Sequence, residues 1–349
     1  MPQKNQEKFS IYKIKKGDTL ASVATFFEKT QQEMKGFHNI FCEHEELIVF
    51  DFPDRLTQLY VYPYLHYKAI GIAEFLDKST YLQQNKQDGT RNYSVQYIST
   101  QGATKNIINF EISISHKGIF KEGHLYLIDK IAPTMINGEI DSNDTEEVKE
   151  KLLDVAYPLQ VLVQENGMWQ EVIFDTAVAK RFATAKEEIN DFYKGKIVQN
   201  MLLHGEKMLC NEANFKRMFE NNWLLDTFFS NIYRYYNPQQ PIKESVKFAV
   251  LNHVAPLSFD VEQNIGDFVF DSKLITINRK GILNYPRSRA ALELAVEETK
   301  YDGSEGKANG SIEEKIILDM KKFNIVSIHL LSSIDLQTAR SVEVNVTMK

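Results

Sequence analysis

Only two cysteines occur in the 349 residues, Cys42 and Cys210. A pair so far apart offers no disulfide framework of the kind that holds small secreted domains together, and it reads as two isolated thiols. Positive charge is not in excess either. The 41 Lys and Arg face 47 Asp and Glu, so the basic stripe a nucleic-acid binder needs is missing. No apolar run approaches the roughly 20 residues of a membrane helix. The opening octet, Met1-Pro2-Gln3-Lys4-Asn5-Gln6-Glu7-Lys8, is polar and lacks the apolar core of a signal peptide. The expectation is a cytoplasmic protein, with a specialised machine needed for any export. Fixed-period repeats and low-complexity tracts are lacking as well.

Catalytic signatures are also missing. Gly306-Lys307-Ala308 has neither the upstream glycine nor the following Ser or Thr of a phosphate loop, and no Gly-x-Ser-x-Gly elbow or dinucleotide fingerprint is present. His44-Glu45-Glu46-Leu47-Ile48 has Ile where a zinc helix needs its second ligand. His38, Cys42 and His44 have the right side-chain types for zinc but no common spacing, and they read as loop residues. His116 and His124 read as polar residues flanking a hairpin. Among the acids, Glu139, Asp141, Asp144, Glu146 and Glu147 suit the start of a helix better than a glycosidase pair. Tyr233, Tyr235 and Tyr236 fit the end of a packed helix better than a stacking surface. No catalytic residue, metal site or cofactor is expected.

The informative stretch lies near the start. Tyr12 and Ile14 alternate with Lys13 and Lys15, the period of a half-buried strand over residues 11–15. Gly17 frees the backbone to turn, and Asp18 or Thr19 can cap a helix whose inward stripe is Leu20, Val23, Ala24 and Phe27. A second helix fits residues 31–37 with Met34 and Phe37 inward, and residues 47–50 read as a closing strand before Pro53.

This order, the Gly17-Asp18-Thr19-Leu20 tetrad, the Asn39 after the second helix and the apolar closing strand resemble a LysM module over residues 10–53. The resemblance implies a βααβ fold that grips peptidoglycan or another N-acetylglucosamine-containing glycan between two loops. Carried onto this sequence, the glycan-binding residues are Gly17, Asp18, Thr19 and Leu20 on one side, and Asn39, Ile40 and Phe41 on the other. The sequence departs from the family at His44-Glu45-Glu46, where a glycine is usual, and at Phe50-Asp51-Phe52-Pro53, where an aliphatic-Pro pair is usual. LysM-like modules also occur in baseplate and hub proteins of contractile tails and related secretion machines. The resemblance therefore allows protein docking in such an assembly as the second function.

Beyond the module the pattern predicts an α+β chain in four parts. These are a LysM-like module over 1–57, a β-rich domain over 58–175, a helical segment over 176–240 and a C-terminal β-rich domain over 241–349. In the second part Ile108, Phe110, Ile112 and Ile114 alternate with polar neighbours, and Glu165-Asn166-Gly167 marks a tight hairpin. Asp144 and Glu147 have capping-box spacing ahead of a short helix. Val178, Phe182, Ala185, Ile189 and Phe192 predict a long helix over 176–209, bent at Gly195, with two shorter helices after it.

Overall fold

In the N-terminal module, β1 (Ser10–Lys13) pairs antiparallel with β2 (Gln58–Val61), Tyr12 lying opposite Leu59. The computed structural model describes residues 9–65, 80–84, 89–140, 143–237, 239–251, 254–269, 273–285, 288–294 and 306–349. The opening octet and Asp141 lie outside the described residues.

Between the two strands run α1 (Leu20–Phe27) and α2 (Gln31–Phe41). Both begin with a reciprocal capping box, Thr19 with Ser22 and Thr30 with Glu33, which occupies amides that a helix start otherwise leaves orphaned. Glu28 ends α1 in the left-handed region at φ 58°. Leu20, Val23, Ala24, Phe27, Met34, Ile48, Leu59 and Val61 close a core that shares no residue with the larger one.

Two expectations for this unit are corrected. The closing strand is Gln58–Val61, not residues 47–50, and α2 continues past residue 37, burying His38 beside Met34. Residues 47–50 do not pair because both backbone groups of Ile48 are bound by one side chain. Asn39 Nδ2 donates to Ile48 O and Ile48 N donates to Asn39 Oδ1, each at 3.0 Å. Ile48 alone of the four enters the core.

Among the described residues after the module, eleven strands form one antiparallel sheet. Its first meander is β4 (Arg91–Gln101), β5 (Thr104–Phe120), β6 (Gly123–Ile136), β7 (Leu159–Val163) and β8 (Trp169–Ile173). Its second is β10 (Ile242–Phe248), β11 (Leu257–Val269), β12 (Leu274–Leu283), β13 (Asn309–Asp319), β14 (Ile325–Asp335) and β15 (Arg340–Met348). The last strand lies beside the first of the other meander, Val344 opposite Tyr97, so the spatial order is β10-β11-β12-β13-β14-β15-β4-β5-β6-β7-β8. The divisions near 175 and 240 therefore mark changes of secondary structure, since one hydrophobic core runs through all three later parts. A separate two-stranded ladder joins β3 (Thr80–Tyr81) to β9 (Tyr235–Tyr236).

Helices α3 (Asp144–Asp154), α4 (Ala177–Phe192), α5 (Lys196–Leu209), α6 (Glu212–Met218) and α7 (Trp223–Phe228) cover one face of this sheet. Phe228 packs its ring edge against Tyr93 and Trp223 against Tyr97. The predicted long helix is two helices, broken where Gly195 takes φ 114°. The cap of α3 is Asn143, which accepts from Thr145 N, instead of Asp144. Among the described residues α8 (Arg289–Leu294) follows β12. Among the described residues no helix is long and apolar enough to cross a membrane.

Candidate binding surface of the N-terminal module

The turn from β1 into α1 is held from within. Asp18 Oδ2 accepts from the Tyr12 hydroxyl at 2.7 Å and from Lys15 N at 2.8 Å. Burial, with the Asp18 carboxylate next in size, pushes the Tyr12 hydroxyl up to about 12. Thr19 is the helix cap and Leu20 is core. Gly17, at φ 95°, and Thr19 are left exposed.

The second wall is not the one expected. Asn39, Ile40 and Phe41 form the last turn of α2 and no loop. Asn39 is bound to Ile48, and Phe41 turns its ring to Phe9 and Phe37, at centroid distances of 5.2 and 5.0 Å. Ile40 is exposed. What meets the β1–α1 turn is the segment around Asp51, whose Oδ1 accepts from Leu20 N at 2.7 Å and from Phe52 N at 2.8 Å. One residue ahead of it, Phe50 is 89% exposed, and Val49 is 62% exposed while its carbonyl accepts from Lys35 Nζ at 3.0 Å.

Val49 and Phe50 therefore stand on a segment fixed at Ile48 and at Asp51. Sequence reasoning missed them by assigning residues 47–50 to a strand. A usable signal was there: four consecutive apolar residues exceed what a strand with one wet face can bury, so some must face water.

His38, Cys42 and His44 do not converge as ligands. His38 is buried, with Nε2 at 3.1 Å from Glu46 O and Nδ1 accepting from Tyr60 N at 3.1 Å. Burial holds its imidazole below the ordinary range, and the Glu46 carbonyl opposes that shift. Among the described residues no group of three or more His, Cys, Asp or Glu is placed to hold a metal ion.

Polar groups of the sheet are mostly engaged with one another. On its open face Lys243 pairs with Glu262 at 3.0 Å and Lys280 with Glu313 at 3.3 Å, along a shallow concavity of about 1060 Å³. On the helix-covered face Arg279 is bound by Glu314 and by Glu244, the latter at 3.2 Å. Asp226 accepts from Trp169 Nε1 at 3.0 Å, and burial raises its carboxyl to about 6. Tyr233 and Tyr236 are core, whereas Tyr235 is exposed on β9.

No protein-family model matches the chain, and no curated protein sequence matches it.

Proposed function

We propose that the N-terminal unit is a LysM-type, non-catalytic binding module for peptidoglycan or another N-acetylglucosamine-containing glycan, with Val49 and Phe50 beside Gly17 and Thr19 as its contact surface. The observation that carries this reading is the exposure of Phe50 on a segment pinned at both ends. An aromatic ring held out on a fixed platform loses little freedom on binding and offers a flat apolar face to a pyranose ring or an acetamide methyl. Asp18, Leu20 and Asn39, which the family resemblance would place in contact with sugar, act here on the module's own fold. Their substitution would unfold the site before it tested the ligand.

The test is retention on purified peptidoglycan. Wild type should be retained, and Val49→Ser with Phe50→Ser should abolish retention while leaving the module folded. Equal retention of the variant defeats the glycan reading. A second reading, docking to protein in a contractile-tail or secretion assembly, is favoured by the internal engagement of Asp18, Leu20 N and Asn39. That engagement removes hydrogen-bonding groups a sugar would use and leaves mainly apolar surface. Indifference to glycan, together with Phe50-dependent co-purification of tail or sheath components, would select it.

A further inference from the structure

Two neighbouring strands and the turn that follows a third bring two imidazoles and a carboxylate into one line. His116, near the end of β5, lies opposite Tyr126 of β6, and His124 is two residues from Tyr126 on the same face. A bulge between His116 and Gly118, where Gly118 takes φ 112°, separates His116 from the last pairs of the hairpin. His124 is opposite Val163 of β7, and Glu165 follows two residues later in the β7–β8 turn. His116 Nε2 stands 3.0 Å from His124 Nδ1, and the other nitrogen of His124 is bound by Glu165 Oε1. His124 is buried, while His116 is half-exposed.

We propose that His116 Nε2 and His124 Nδ1 are two ligands of a site for a divalent transition-metal ion, with Glu165 as the carboxylate that orients His124. When His124 donates Nε2–H to Glu165, its Nδ1 accepts a hydrogen bond from His116 Nε2–H, so an ion enters only as His116 shifts that proton to its Nδ1 and both freed lone pairs turn to the ion. A carboxylate behind a ligating imidazole fixes the tautomer and raises the basicity of the donor nitrogen. Zn–N bonds of about 2.0–2.1 Å in a tetrahedral site set two ligand nitrogens about 3.3 Å apart, so the observed separation needs only a few tenths of an ångström of opening. Two nitrogen donors select ions such as Zn²⁺, Ni²⁺ or Cu²⁺ over the oxygen-seeking Mg²⁺ and Ca²⁺. Among the described residues no third His, Cys, Asp or Glu joins the pair, and the proposal assigns the remaining positions to water.

Calorimetric titration of the full chain with Zn²⁺ tests this. One saturable binding event is expected, untouched by excess Mg²⁺. His116→Gln and His124→Gln should each weaken it at least tenfold, Glu165→Gln about tenfold, and Cys42→Ser not at all. Imidazole ¹⁵N spectra of the wild type give a readout independent of any variant's folding, with His116 and His124 shifting together at one equivalent. Absence of saturable binding, unchanged affinity in folded His116→Gln, or a first equivalent that shifts other histidines instead would overturn the proposal.

Discussion

In the module, Ile48 gives both of its backbone groups to the Asn39 amide, Leu20 gives its amide to Asp51, and Tyr60 gives its amide to His38. In the sheet, Val344 and its neighbours on β15 are bound by ladders on both sides, and polar side chains along the open face pair with one another. A small unit with a four-residue ladder has too little regular structure to satisfy its backbone, so its polar side chains do that work. Polar residues that a sequence reading takes for ligand contacts are, in the module, mostly structural.

The sharpest break between the regions should come from Phe27→Ala. Phe27 is fully buried in the module's own core, and such a deletion costs about 3–5 kcal/mol. For a core this small that is a large share of its stability. Hydrogen exchange should show protection lost in β1, α1, α2 and β2 but retained in β13–β15. Loss in both regions would show that the two cores unfold as one.

Asp226→Asn probes the sheet region alone. The folded carboxyl is held at about 6 against an ordinary 3.8, so the unfolded chain ionises first. Stability is therefore lost as pH rises from about 4 to 6 and then levels. Asparagine keeps an acceptor for Trp169 without a charge. The variant should be more stable than wild type at pH 7 by up to on the order of 2–3 kcal/mol, at about 1.36 kcal/mol per pKa unit. The gap should close by pH 4 in denaturant unfolding, where groups common to both proteins cancel.

What the sequence made legible was local. The alternation of Ile108 to Ile114, the Asn166-Gly167 hairpin and the stripe from Val178 to Ile189 all appear as β5, the β7–β8 turn and α4, because each period is set by neighbours a few residues apart. The pairing of Met348 with Tyr93 carries no local signal, so two β-rich parts read as two domains. In the candidate site the Gly17 turn and the Thr19 cap were legible for the same reason. The roles of Asp18 and Asn39 depend on Tyr12 and Ile48, partners that only the fold supplies.

Asn39→Ala should have a smaller effect, about 1–3 kcal/mol, since it leaves the amide and carbonyl of buried Ile48 without their partner. The loss should concentrate in faster exchange around residues 43–52, the segment that presents Phe50. Exchange unchanged there would mean that Asp51 and Lys35 hold the segment unaided.

The smallest effect, and the one that opposes the two regions most directly, is the pH response of His38. Burial depresses the pKa of this imidazole in the fold, so near its ordinary value of about 6.5 the unfolded chain binds the proton first. Stability is fully present above that pH and is lost as pH falls from it toward the folded value, the reverse of the Asp226 response. Protonation would also end the role of Nδ1 as acceptor for Tyr60 N, so β2 should loosen before α1 does. Module stability followed by exchange at Leu59 and Tyr60 should therefore drop between pH 7 and 5 in wild type. His38→Gln, which retains a neutral amide, should flatten that drop. An identical pH profile in the variant would assign the dependence to the surface carboxylates of the module instead.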